Sequence, residues 1–312
     1  MNGKHWRILI CDPVDRPLIT GLEEKGHMVD YRPDISHGQL KEILHGYDAI
    51  VVRSRTKLTS EVLHSGRELH LIARAGIGTD NIDLGAAEAL GIKVVTAAGS
   101  STDSVAELNI ALLVNVARGV GSLNRQLRDG KFVKAVGTEI AGKTAGMIGF
   151  GRIGFQTAKY LRALGLGILA FDLYESGELI GKVSGKYVPL EVLLEKSDFI
   201  FISVTLMKDS SEILGEEQFR KLRKGAILIN TSRAEAVNLQ SLVKALQEGT
   251  LGGYGADVLW NEPPDSPLEK ELIAMDNVMI TPHIGAQTHE AQGRVARITL
   301  ENMLKAMEEI SG

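Results

Sequence analysis

Short unbroken apolar runs recur along the chain. They are separated by stretches in which apolar residues return every three or four positions. In the first third the runs are Arg7 to Cys11, Met28 to Tyr31, Ala49 to Val52, Leu71 to Ala73 and Lys93 to Val95, with helical spacing at Gln39 to Leu44 and Ser60 to Ser65. Strand-length runs alternating with amphipathic helices predict a parallel sheet with helices on both faces.

A second series begins at Thr144, with strands predicted over Ala145 to Ile148, Ile168 to Phe171, Phe199 to Ser203, Ala226 to Ile229, Gly255 to Val258 and Val278 to Thr281. After Pro282 one helical pattern, Ala286 to Ile310, closes the chain. Between the two series, Ser104-Val105-Ala106-Glu107 fits a capping box with Glu107 at N3. The helix it opens, reaching Arg118, is apolar on most sides (Leu108, Ile110, Leu112, Leu113, Val114, Val116), so it needs burial against another domain or subunit. The polar stretch Arg125 to Thr138 carries little helix or strand signal. The pattern predicts an α/β protein of two doubly wound parallel-sheet domains, with the closing helix returning to the first.

Composition narrows the function classes. The 312 residues are 44% hydrophobic and 24% charged, as in ordinary globular proteins. A net charge of -4 gives no electrostatic footprint for nucleic acid. The polar start, Met1 to Arg7, has no signal-length apolar stretch after it, and no run is long enough to span a bilayer. The single cysteine, Cys11, has no disulfide partner and ends an apolar run, which suits a buried strand end in a reducing compartment. These features predict a cytoplasmic protein with a small-molecule substrate, no membrane and no nucleic-acid partner, and no metal site.

Gly149-Phe150-Gly151-Arg152-Ile153-Gly154 reads G-x-G-x-x-G between an apolar strand and a helix, and a second strand then ends in Asp172. That is the context a dinucleotide fingerprint requires. Gly149 permits the tight turn, Gly151 lets a pyrophosphate approach the backbone, and Gly154 lets helix and strand pack closely. The helix start offers N–H groups to phosphate. Asp172 is placed for ribose hydroxyls, and the following Leu173, Tyr174 and Glu175 include no arginine for a 2′-phosphate, so NAD is expected rather than NADP.

Three stretches follow later strands: Asn230 to Arg233, Asp257 to Pro264, and Thr281 to Ala286. They lie at the carboxyl ends of parallel strands, where doubly wound folds bind ligands. Alcohol oxidation needs a base, and the reverse reaction an acid; histidine serves both near neutral pH. A carboxylate orients it, and an arginine holds a substrate carboxylate bidentately. Arg233, Glu262 and His283 make a sufficient set, whereas His289 is expected to face solvent.

Together these motifs, with Val52 to Thr56, Ala73 to Asp83 and Ser104 to Glu107, resemble the D-2-hydroxyacid dehydrogenases, and within them the 3-phosphoglycerate dehydrogenases. The resemblance runs across nearly the whole chain. It implies a flavodoxin-like substrate domain, 1–98 with 283–312, into which a Rossmann NAD domain, 99–282, is inserted, with the cleft at their junction. It implies that Arg233 binds the substrate carboxylate, Glu262 supports the histidine, and His283 is the proton donor and acceptor. Arg152 and Ile153 would sit by the pyrophosphate, Ile77, Val204, Thr231 and Gly285 would contact the cofactor, and Asp257 would lie near the nicotinamide amide. Arg53, Ser54, Arg74, Ala75 and Gly76 are the expected substrate contacts, with Lys134 reaching from a partner in a homodimer joined through the NAD domains.

The implied reaction is oxidation of D-3-phosphoglycerate to 3-phosphohydroxypyruvate, the first step of serine biosynthesis. Glyoxylate or hydroxypyruvate reduction is the alternative within the chemistry, and an NAD-sensing corepressor-like binding protein the alternative outside it. The chain departs from the family at Ala234-Glu235, where glycine usually follows the arginine, at Ser203 to Thr205, and at Ala97 to Gly99. The regulatory domains of longer 3-phosphoglycerate dehydrogenases are not expected.

Overall fold

The computed structural model describes residues 5–205 and 212–312, so part of the polar start lies outside it. The chain divides into two compact units, Met1–Ser101 with Ala286–Gly312, and Thr102–Gly285.

The first unit runs β1 (Arg7–Ile10), α1 (Arg16–Glu24), β2 (Met28–Tyr31), α2 (His37–Ile43), β3 (Ala49–Val52), α3 (Ser60–Ser65), β4 (Leu71–Arg74), α4 (Leu84–Ala89) and β5 (Lys93–Thr96). The all-parallel sheet has the order β2-β1-β3-β4-β5, the flavodoxin-like arrangement. Successive residues of β1 point to opposite faces. Ile8 and Ile10 join Trp6, Leu18, Val295 and Met303 on one side, and Leu9 and Cys11 join Leu40, Ile50 and Val62 on the other. Cys11 is buried at the strand end, and burial, then the neighbouring Asp12 charge, push its thiol up to about 12.

The second unit begins with α5 (Thr102–Arg118) and α6 (Val120–Arg128). It continues with β6 (Thr144–Ile148), α7 (Arg152–Ala163), β7 (Gly167–Phe171), α8 (Gly177–Lys182), β8 (Lys186–Tyr187), α9 (Leu190–Lys196), β9 (Phe199–Ile202) and α10 (Glu216–Arg220). β10 (Ala226–Asn230), α11 (Leu239–Gln247), β11 (Leu251–Ala256), α12 (Pro267–Ala274) and β12 (Val278–Ile280) complete it. Its parallel sheet has the order β12-β11-β10-β9-β6-β7-β8. The order reverses between β6 and β9, where doubly wound folds place their ligands. The closing helix, α13 (His289–Ser311), packs on α1, β4 and β5 of the first unit.

Three local readings need correction. The helix α5 starts at Thr102, so Ser104 is buried inside its first turn and is not a cap; the run Ser100 to Ser104 offers several residues able to cap, and the pattern alone chose the wrong one. The stretch from Arg125 is helical as far as Arg128, because Val120, Leu123 and Leu127 continue an i, i+3, i+7 spacing. The closing helix begins at His289, where the Thr288 hydroxyl caps the Ala291 N–H at 3.1 Å. His289 itself is exposed. No helix among the described residues is long and apolar enough to cross a membrane.

Candidate active site

The turn after β6 is built by glycine. Gly149 has φ +89°, and a Cβ there would lie 2.5 Å from the Ser203 carbonyl oxygen. Gly154, buried on α7, passes so close to the Gly149 carbonyl that any side chain would collide with it. Gly151 is different: a Cβ there would meet nothing within 4 Å, and it stands at the start of α7 with no side-chain cap. The loop therefore leaves open space against free helix N–H groups, the cradle a pyrophosphate requires. Arg152 is exposed and Ile153 half-buried beside it. The Ser203 hydroxyl oxygen next to this loop is buried without a hydrogen-bond partner among the described residues. Asp172, after β7, accepts the Phe150 N–H at 2.6 Å and the Tyr174 N–H at 3.0 Å. These residues fit a dinucleotide, with Asp172 at the ribose end.

Three neighbouring strands, β10, β11 and β12, carry the candidate chemical groups on the loops that follow them. Asn230 ends β10 and is fully buried; its Oδ1 accepts the Ser232 N–H at 3.0 Å and its Nδ2 donates to the Arg233 carbonyl at 2.9 Å. The amide thereby sets the backbone that presents Arg233, whose Nη1 donates to the Ser232 carbonyl at 2.7 Å. Ala234 and Ala236 are buried behind it, while Glu235 points to solvent.

Asp257 follows β11 and is 2% exposed. Its Oδ1 accepts the Thr281 hydroxyl at 2.6 Å and the Ile284 N–H at 2.8 Å, and its Oδ2 accepts the Gly285 N–H at 2.7 Å. A Cβ on Gly285 would press on that carboxylate at 3.0 Å. The loop so held contains His283 at φ +53°, a left-handed conformation that few non-glycine residues adopt. Such strain costs on the order of 1–3 kcal/mol. Each hydrogen bond to a charged group contributes about 1.5–3 kcal/mol, so three of them hold the loop against it.

His283 Nδ1 lies 2.9 Å from Glu262 Oε2 and 3.1 Å from Oε1. The imidazole is 55% exposed and the carboxylate 43%, so the second ring nitrogen is open to a reactant. Glu262 is in turn positioned by its own loop. Glu269 of α12, fully buried, accepts the Asn261 N–H at 2.9 Å, the Asn261 side-chain amide at 2.8 Å and the Ser266 hydroxyl at 2.8 Å.

Other expected contacts fall as follows. The Thr231 hydroxyl donates to Asn109 Oδ1 at 2.9 Å, so its side chain is engaged within the protein. Val204 is half-buried and Ile77 exposed. In the first unit Arg53 follows β3 and Arg74 ends the adjacent β4, both half-buried at the carboxyl edge of the sheet. Ser54 is exposed, and Ala75 and Gly76 are buried, with Gly76 lying under the Arg74 guanidinium. Arg55, though about half exposed, is engaged within the protein: it donates to buried Asp12 at 3.0 Å, to the Cys11 carbonyl at 2.5 Å and to the Pro33 carbonyl. Asp12 also accepts the Arg53 N–H at 2.5 Å, so the pair shapes the Arg53 loop. Lys134 is exposed, 5.9 Å above the Phe132 ring. Sequence reasoning missed Asn109 and Glu269, and gave Asn230 and Thr281 no role of their own within the stretches it singled out; the available signal was a polar residue at or next to an otherwise apolar strand or helix face.

A glycine turn with an acid at the end of the next strand fits a dinucleotide, and the carboxylate–imidazole pair of Glu262 and His283 and the loop arginine Arg233 follow neighbouring strands of the same sheet. Residues 110–285 match the model of the D-isomer specific 2-hydroxyacid dehydrogenase NAD binding domain, and the chain belongs to that family. It is 38% identical over 300 residues to D-3-phosphoglycerate dehydrogenase of Archaeoglobus fulgidus, covering 96% of this chain and 56% of that protein. It is 36% identical over 304 residues to hydroxypyruvate reductase of Thermotoga maritima, covering 97% and 98%. The solved structure of the TT0316 protein of Thermus thermophilus superposes with a TM-score of 0.88 at 30% identity, covering 97% of each chain. The chain thus spans little more than half of the phosphoglycerate relative but nearly all of the hydroxypyruvate one.

Proposed function

We propose that the chain interconverts a D-2-hydroxyacid and its 2-keto acid with NAD, and that D-3-phosphoglycerate is its substrate. The observation that carries the chemistry is the Glu262–His283 pair, at 2.9 and 3.1 Å, with His283 on a loop whose backbone is held by the buried Asp257 carboxylate. His283 takes the hydroxyl proton in oxidation and returns it to the carbonyl oxygen in reduction. Glu262 fixes the ring and faces the positive charge that forms on it. Arg233 holds the substrate carboxylate and polarises the adjacent carbonyl. Bound NAD supplies the hydride acceptor. The cradle at Gly151 and the acid at Asp172 are its holding groups.

The choice of a phosphorylated substrate draws support from the Archaeoglobus relative and from two arginines, Arg53 after β3 and Arg74 at the end of the adjacent β4, at the carboxyl edge of the first sheet. Hydroxypyruvate reduction is the second reading, favoured by the Thermotoga relative, which matches along almost its whole length. The deciding measurement is kcat/KM for 3-phosphohydroxypyruvate against hydroxypyruvate, read by NADH absorbance. We expect a ratio of at least about 100, falling by about tenfold or more in Arg53→Ala and Arg74→Ala, since each phosphate–guanidinium contact is charge-assisted. A ratio near one, or a preference untouched by both substitutions, leaves a general 2-keto acid reductase.

A homodimer through the second unit belongs to the same reading. Val114 of α5, Val120 and Leu127 of α6, and Phe132, Val133 and Val136 beyond it are all exposed. An apolar strip of this extent is the kind of surface that a second copy covers. Light scattering at micromolar concentration is expected to give twice the chain mass; a monomer there removes the dimer from the proposal.

A further inference from the structure

Helix α5 carries a polar residue where its packing against α7, β10 and β11 is otherwise apolar. Asn109 is 1% exposed. Its Oδ1 accepts the Thr231 hydroxyl at 2.9 Å, and its Nδ2 donates to the Thr157 hydroxyl at 3.0 Å. Thr157 is fully buried on α7, the helix whose first turn forms the dinucleotide cradle. Thr231 stands between Asn230 and the loop that presents Arg233. One side-chain amide therefore bridges the cofactor helix and the substrate-binding loop, which have no sequence proximity.

Burying an amide costs free energy unless both of its ends are bonded. A leucine of similar size would carry no such condition. The polar residue is useful only for what it ties together.

We propose that Asn109 is a positioning residue that couples dinucleotide binding on α7 to the placement of the Thr231–Arg233 loop. It acts through Thr157 on one side and Thr231 on the other, and it touches neither substrate nor cofactor. Setting of α7 by a bound dinucleotide is passed to the loop, so that Arg233 is ordered for the substrate carboxylate when the cofactor is present. This inference rests on the 2-hydroxyacid reading for the role of Arg233, but the link itself is measurable without turnover.

The test uses the full chain with NADH, and variants Asn109→Leu, Thr157→Val and Thr157→Ser. NADH affinity is followed by its fluorescence, and hydrogen exchange of amides 230–237 is measured with and without saturating NADH. In the wild type NADH is expected to slow exchange in that loop. In Asn109→Leu and Thr157→Val, with NADH verified as bound, the slowing should shrink at least about fivefold, and KM for the keto acid should rise about tenfold with a smaller change in kcat. Thr157→Ser, which keeps the hydroxyl, should restore both. Thr157→Val is the sharper variant, because it lies on the cofactor helix and does not touch the loop. Wild-type exchange and KM in that variant, or no effect of NADH on the loop of the wild type, overturns the proposal. A variant that only loses melting temperature does the same. If the wild type reduces no 2-keto acid, the activity reading fails, while the exchange measurement still decides the link.

Discussion

Replacing His283 with alanine is expected to lower kcat by roughly 10²–10⁴-fold, the usual contribution of a positioned acid–base group. NADH affinity should change by less than about threefold, because the imidazole acts on the proton and not on the dinucleotide. The expectation comes from geometry: the ring is 55% exposed and bonded on one side only, to Glu262. Stability should change little, since alanine at φ +53° keeps the strain and Asp257 keeps its three hydrogen bonds to the loop. Steady-state kinetics with a 2-keto acid and a parallel fluorescence titration separate the two effects. An unchanged kcat removes His283 from the chemistry.

Gly149→Ala and Gly151→Ala should fail in different ways. At Gly149 the new methyl meets the backbone of Ser203, at 2.5 Å from its oxygen and 2.7 Å from its carbon, and φ is +89°. The conformation alone costs about 1–2 kcal/mol, and the collision is relieved only by moving the loop. A displacement near 1 Å is enough to cost about 100-fold in a positioned site. We expect NADH affinity to fall by that order and the melting temperature to drop by about 5–10 °C, as ~2–3 kcal/mol does in a unit of this size. At Gly151 the methyl has open space, so the fold should melt as the wild type does while the methyl occupies the cradle and weakens NADH binding. If Gly149→Ala keeps both the wild-type melting temperature and affinity, the turn is not what holds the site.

The difference between these glycines shows what the sequence could and could not carry. The three-glycine spacing was readable because backbone geometry demands it. Most strands were readable because a parallel strand buried on both faces is a continuous apolar run: Ala49 to Val52, Phe199 to Ile202 and Ala226 to Ile229 have no polar interruption. β11 was placed too late, at Gly255 to Val258, because its sequence, LGGYGA, lacks such a run. Its glycines admit helix α5: a Cβ on Gly255 would come within 2.7 Å of Ile229 and 3.2 Å of Leu112. β8, only Lys186 and Tyr187, is too short to leave a periodic signal.

The same limit applies to the site. Arg233, Glu262 and His283 were legible from their positions after strands. The residues that aim them were not, because buried Asn109, Asn230 and Glu269 look in sequence like ordinary surface polar residues. Asp257 stood out by its position after a strand and was given a role, as a cofactor contact, only through resemblance; its hydrogen bonds to the histidine loop became visible only in three dimensions. Burial, not residue type, makes such groups informative.

Cys11 has a practical consequence of its own. It is the sole sulfhydryl of the chain, sits in the core of the first unit, and holds its proton up to about 12. A thiol so buried and so weakly acidic is inert to alkylating reagents. The native protein is therefore a blank background on which one engineered cysteine, at an exposed position such as Leu173, takes a fluorophore without competition. Cys11 itself becomes a clock: its alkylation under native conditions, slow because it waits on rare openings, counts the openings of the first unit's core.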